Sequence, residues 1–456
     1  MQNNTMNLVE IITLLIGIIG AYALLSLFLK QKGYFEKYNI SFYGPALMIR
    51  TQKGVGFLRR IAQRKRFWKG YGNLAVIICF IMMVLMVALV IANMWTVLEF
   101  TPEQKEALPG IEFGLILPGI NPILPLDYIF YIIIALVIGI VVHEFSHGIL
   151  TFAHGIKVKS LGLLYLIVPL GAFCEPDEEE LQKSSMKKRM HVYAAGPMSN
   201  FVIALITLFL FSYAGMAAVE PINGVHISYA IEDSPAEIIG LSAGNVITSL
   251  NNTPVNNASD FTKVMDSVSV NQTIPIEFHK DNQLVKTTVT PAPRSQFSGN
   301  STQKNISFVG IGFNGYVNGF IDSLQNPLSS ADGLILMYSL PLIGYFVGYN
   351  PLVNPYTQGL ELTGAASFIP APVFWIVLNV IFWIFWLNLL LGFFNVLPMV
   401  PLDGGFLFND GVRFFVQRIK KNLSEERVEK IVRQITMIIS LIILFLVLFP
   451  WLVKYF

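Results

Sequence analysis

Apolar runs long enough to cross a bilayer constrain this chain before any motif does. A hydrocarbon core of roughly 30 Å takes about 20 residues of helix. Residues 7–29, 73–97, 127–152, 192–216, 373–398 and 434–453 each supply that length without a run of charges. Residues 333–348 form a weaker candidate, short and interrupted by Pro341 and Gly344. Charged residues make up 13% of the chain, against about 25% in soluble proteins. The expected fold is a polytopic α-helical membrane protein with about six transmembrane helices.

The basic residues orient these spans, because cytoplasmic loops carry the excess of Lys and Arg. Segment 30–72 holds Arg59, Arg60, Arg64, Lys65, Arg66 and Lys69. Segment 155–190 holds Lys157, Lys159, Lys183, Lys187, Lys188 and Arg189, and segment 406–433 is equally basic. These three are expected inside, and the acidic segment 98–126 outside. In the first apolar run Lys30 and Lys32 follow the run, the reverse of a signal peptide. It therefore reads as an uncleaved span, and both termini fall outside. The net charge of +2 carries no signal for nucleic acid, which is not an expected partner. Cys79 and Cys174 lie in different regions and read as buried thiols, not a disulfide.

One stretch departs from this pattern. From Val219 to about Tyr316 the chain is polar, rich in Asn, Ser and Thr, and alternates as strands do, as in Thr273-Ile274-Pro275-Ile276-Glu277-Phe278. It reads as an inserted α/β domain on the outer face, of a size that supports its own core. The expected organisation is a two-span N-terminal region with a basic cytoplasmic loop (1–126) and a first membrane half (127–218). The insert (219–320), an outer-face or re-entrant hairpin (321–372) and a second membrane half (373–410) follow. A cytoplasmic segment with the last span (411–456) ends the chain.

His143-Glu144-Phe145-Ser146-His147 lies inside the run 127–152. Two His spaced i, i+4 share one helix face. They can bind one zinc ion, with Glu144 beside it as general base. Ionisable groups at membrane depth are costly and mark function. A catalytic zinc wants a third protein ligand. His154 is two turns on, about 10 Å along the axis and too far. His191 stands at the foot of the next span, and His226 and His279 are in the insert. Asp403, which follows the Pro-broken end of the run 373–398, is better placed. It meets the His pair only if 333–348 does not cross the membrane.

With these residues in view, the chain resembles the site-2 protease family of intramembrane zinc metalloproteases, in the manner of archaeal members. The resemblance rests on His143 to His147 together with Asn395, Pro398 and Leu402-Asp403-Gly404. Gly171 to Glu180 and Ala195-Gly196-Pro197-Met198-Ser199-Asn200 add to it. It covers roughly residues 125 to 410. It implies His143, His147 and Asp403 as ligands of one zinc ion, Glu144 as base, and Asn395 and Asn200 as groups that position substrate or oxyanion. The substrate it implies is a transmembrane protein segment, trimmed beforehand.

The insert resembles a PDZ domain in Gly224-Val225-His226-Ile227, Asp233-Ser234-Pro235-Ala236 and Gly240 to Ile247. That likeness implies a docked peptide end, with Gly224, Val225, His226 and Ile227 as the carboxylate-holding loop. Two other classes compete. A transporter would show pseudo-symmetric halves, and none are apparent. A client-binding membrane chaperone would have no need of an intact His143, Glu144, His147 and Asp403.

Overall fold

A computed structural model describes every residue except 1–7, 115–118, 166–168, 282, 299–300, 421 and 455–456. In chain order, helix α1 (Leu8–Gln31) leads to a hairpin of β1 (Ile40–Tyr43) and β2 (Ala46–Thr51), then α2 (Lys65–Leu98) and α3 (Ile129–Ala153). Strands β3 (Val158–Tyr165) and β4 (Pro169–Pro176) precede α4 (Met186–Phe209). The insert contributes β5 (Val219–Pro221), β6 (Val225–Ala230), β7 (Val246–Leu250), α5 (Ala258–Asp266), β8 (Ile274–Lys280), β9 (Gln283–Val289) and β10 (Ile311–Phe313). Helix α6 (Ala331–Phe346), β11 (Leu360–Leu362), α7 (Ala371–Asn395), α8 (Asp403–Ile419) and α9 (Glu425–Val453) complete the chain.

Among the described residues, five helical stretches are long and apolar enough to cross a membrane: Lys65–Leu98, Leu126–Ala153, Met186–Ala218, Ala371–Asn395 and Glu425–Val453. The first and the last three of these differ from the sequence expectation at their ends. Helices α2, α4 and α9 begin several residues earlier than the apolar runs, because a helix need not stop where the bilayer does. Helix α7 stops at Asn395, ahead of Pro398, as the restriction on residues before proline demands. The first apolar run is helical as α1, with its residue 7 outside the described residues. Helix α6 has 16 residues, about 24 Å at 1.5 Å per residue and short of the bilayer core. Ser330 caps its start by accepting from the Gly333 amide.

The chain divides into two compact units: Met1–Glu112, Ile133–Ala204 and Ile384–Phe456 form one; Phe113–Ile132 and Leu205–Trp383 form the other. In the first unit β1 to β4 make an antiparallel sheet in that order. The segment expected as a plain cytoplasmic loop, 30–72, thus contributes two strands. They close one edge of the β3–β4 hairpin, whose turn at 166–168 lies outside the described residues. Leu58, Leu150, Leu161, Cys174 and Ala195 pack together beneath this sheet.

In the second unit the insert forms an antiparallel sheet in the order β9-β8-β7-β6-β10. Its core holds Ile227, Ile247, Leu250, Ile276 and Phe278, closed by Phe261 and Met265 of α5. Asn257 caps α5 by accepting from the Asp260 amide. Asn245 is fully buried, and its Oδ1 accepts from the Ser242 amide.

Candidate metal centre

Helix α3 presents His143 and His147 one turn apart, with the two Nε2 atoms 3.2 Å from each other. Asp403, the first residue of α8, brings Oδ2 to 3.0 Å from His143 Nε2 and 3.2 Å from His147 Nε2. Two ligands of a tetrahedral ion held at about 2.0–2.1 Å stand roughly 3.3 Å apart, so this triangle fits zinc. The N-terminus of α8 reaches the site because Gly404 and Gly405 let it lie directly on the backbone of residues 396–400. A Cβ at Gly404 would meet the Val396 carbonyl carbon at 2.3 Å, and one at Gly405 the Val400 nitrogen at 2.5 Å.

The partners behind the triangle set the histidine tautomers. His147 Nδ1 donates to the Val192 carbonyl at 2.7 Å, which leaves the Nε2 lone pair for a metal. His143 Nδ1 faces the Asn200 side-chain amide at 3.3 Å. With Nδ2 turned to the ring, Asn200 Oδ1 is buried without a partner. Turned end for end, the same amide accepts from Nδ1–H, satisfies Oδ1 and leaves His143 Nε2 free to ligate. Asn200 is completely buried. It stands behind His143, away from the position expected of a group that touches substrate.

Space for an ion comes from α4. A Cβ added at Gly196 would lie 2.5 Å from both His Nε2 atoms, so the absent side chain keeps the mouth of the triangle clear. Glu144 lies beside the pair on α3. Its Oε2 accepts from the Cys174 amide of β4 at 2.8 Å, which fixes the carboxylate relative to the sheet. The Cys174 thiol is buried, and that burial pushes its pKa up to about 12; it is a packing group.

Other expected residues fall elsewhere. Asn395 donates from Nδ2 to the Leu391 carbonyl one turn back. His154 Nε2 faces His191 Nδ1 at 3.0 Å, and His191 Nε2 faces Asn73 Oδ1 at 3.1 Å. Among the described residues the metal-competent cluster is His143, His147 and Asp403. Of Gly224 to Ile227, expected as a loop, Val225 to Ile227 are strand. Val225 to Ile227 begin β6, flanked by β7 and β10. The Ile227 amide donates to the Asn245 carbonyl, and the His226 carbonyl accepts from the Asn314 amide. The His226 ring contacts the Ile222 carbonyl, and burial lowers its pKa. The border strands of this sheet are β9 and β10.

Sequence reasoning missed one buried group near the site. Asp410 of α8 binds Arg189 of α4 through both carboxylate oxygens, with Nε at 3.0 Å from Oδ2. Both side chains are almost fully enclosed. Removing one partner of such a pair costs about 3–5 kcal/mol. The partners are 221 residues apart, and the only signal in the sequence is an Asp two turns into an otherwise amphipathic helix.

Comparison with known proteins agrees with this geometry. Residues 131–443 match Peptidase family M50. An uncharacterized protein of Methanocaldococcus jannaschii, MJ0971, is 27% identical over 86% of this chain and 84% of its own length. Zinc metalloprotease RasP of Shouchella clausii is 26% identical over 52% of this chain and 54% of its own length. Among solved structures, the PDZ domain of an SdrC-like protein of Listeria monocytogenes is 18% identical and covers 22% of this chain and 96% of its own, with a TM-score of 0.18. The family match spans more than half the chain. This multi-pass membrane protein belongs to peptidase family M50.

Proposed function

We propose that the chain is an intramembrane zinc endopeptidase that cleaves transmembrane segments of membrane-anchored proteins. The observation that carries this reading is the triangle of His143, His147 and Asp403 with Glu144 beside it, on a helix of membrane-spanning length. His143, His147 and Asp403 would hold one zinc ion, which would supply a lowered water pKa, toward ~7, and polarisation of the scissile carbonyl. Glu144 takes the proton from the attacking water and passes it to the leaving amine nitrogen. Asn200 and Val192 keep the two imidazoles in the ligating tautomer.

A helical substrate hides its carbonyls in its own hydrogen bonds and must unwind. The outer edge of β4 carries no partner strand among the described residues. The Cys174 amide on that strand reaches Glu144. Pairing of unwound substrate with this edge sets the scissile bond beside the base. Charge asymmetry supports a zinc site near the cytoplasmic face and the insert outside, with α6 not crossing. The test is purified protein in lipid vesicles with a single-span substrate. Chelation is expected to abolish cleavage and added zinc to restore it, while backbone N-methylation next to the scissile bond slows cleavage. Full activity in the chelated enzyme rejects the proposal.

The insert docks the trimmed end of the substrate along β10, by strand addition to a free edge. The reading is supported by the place of β10 at the sheet border beside α5, where Phe313 and Phe261 rings meet at 5.2 Å. Phe313→Glu is expected to weaken peptide binding about 10-fold, the loss of one well-placed contact, while zinc content stays the same. Unchanged binding in a titration calorimeter removes β10 from the docking site.

A further inference from the structure

A cavity of about 600 Å³ lies in the first unit between α4, α8 and α9. Its wall on α9 runs from Glu429 to Leu441, about 18 Å of helix, and its chemistry changes along that length. Arg433 and Glu429 stand at one end, and beyond them the hydroxyls of Thr436 and Ser440 run side by side with exposed Met437 and Leu441. Phe406 and Val400, both exposed apolar groups, line the cavity from the α8 side.

The charges at the polar end are unequally satisfied. Arg189 and Asp410 neutralise each other in the buried pair, and Arg189 spends its remaining donor nitrogen on the Gln182 and Ser184 carbonyls. Arg413 is different. Its Nε is buried without a hydrogen-bond partner, and its guanidinium only approaches the exposed Glu425 carboxylate, at 3.6 Å. Arg433 makes no ion pair among the described residues. Within the lining, two cations thus share one carboxylate, Glu429, with Glu425 reaching Arg413 from outside it, and the buried Arg413 Nε–H has no protein acceptor. Leaving such a donor unmet is unfavourable. Further along, Thr436 accepts from Asn409 Nδ2 and Ser440 from the Val400 amide, so each hydroxyl still has its proton to donate.

We infer that this cavity binds one anionic phospholipid. Its phosphate pairs with Arg413 and Arg433, its ester carbonyls accept from Thr436 and Ser440, and an acyl chain lies over Met437, Leu441 and Phe406. A cationic end that continues into paired stripes of hydroxyl and apolar surface matches a phospholipid, whose phosphate leads into ester groups and acyl chains. A free phosphate would leave the apolar stripe uncovered. The ligand bridges α8 and α9 and so bears on the helix that begins with Asp403. Phe406 also stacks on Tyr193 of α4, with centroids 5.4 Å apart. The binding claim stands apart from the proposed protease activity.

The test uses the full-length chain solubilised in mild detergent, with native mass spectrometry during titration of phosphatidylglycerol against phosphatidylcholine. The native chain is expected to retain one phosphatidylglycerol in preference to phosphatidylcholine. Arg413→Gln/Arg433→Gln is expected to lose that preference about 30-fold, the combined strength of two basic residues near an anionic surface. Glu429→Lys, at an exposed position that leaves folding intact, is expected to tighten binding about 10-fold or more by the same arithmetic. Equal retention by all three chains overturns the inference. So does release of the lipid by inorganic phosphate at equal concentration, which would make the site one for a soluble anion.

Discussion

Glu144→Gln is expected to bind zinc as the native chain does and to cleave peptide about 10²–10⁴-fold more slowly, the contribution of a positioned general base. The substitution keeps the size of the side chain and an oxygen that can accept from the Cys174 amide, so the β4 contact survives. The three ligand residues are untouched. What is lost is a group able to take a proton from water and return it to the amine. Metal analysis and a cleavage assay on one preparation check both halves. A variant that retains zinc and cleaves at the native rate removes Glu144 from the chemistry. One that loses zinc as well would show that the carboxylate holds the site together.

Gly196→Ala is expected to lose zinc affinity by at least about 100-fold, the upper end of the losses seen when a group around a metal ligand is changed. The new methyl would lie 2.5 Å from His143 Nε2 and from His147 Nε2. No rotamer relieves this, because a Cβ has none, and both rings are held from behind by Asn200 and Val192. Alanine is favoured over glycine in a helix interior by about 1 kcal/mol. That gain offsets only part of so close a contact, so the metal-free variant is expected to keep its helical fold but to melt below the metal-free native chain. Competition with a chromophoric chelator reads the affinity, and circular dichroism reads the fold. Full zinc binding by the variant would mean that α4 can move aside and that Gly196 does not define the ion's space.

The membrane helices were legible because bilayer thickness fixes their minimum length, and that leaves a long unbroken run in the text. The His143 and His147 pair was legible because its period is that of one helix. Long-range pairing was not. Residues 40–51 sit in a basic stretch, and their partner strand β3 begins at Val158, more than 100 residues on. Nothing local announces that β2 will pair there. Arg189 and Asp410 are hidden in the same way: each looks like an ordinary charge near a membrane edge until α4 and α8 are packed together. In the insert, Gly224-Val225-His226-Ile227 reads as a loop only through the likeness to a PDZ domain. In the structure the glycine permits close strand contact: a Cβ there would strike the Ile247 carbonyl of β7 at 2.4 Å.

The buried Arg189–Asp410 pair closes a loop of connections that began at the metal ligands. Asp403 ties α8 to α3, His147 and His143 tie α3 to α4, and Arg189 ties α4 back to α8. Three helices joined pairwise make a triangulated frame, which cannot shear without breaking a member. His143, His147 and Asp403 all sit on members of this frame, so a change that shears it, even one placed at Arg189 or Asp410, is expected to spread the three ligands apart.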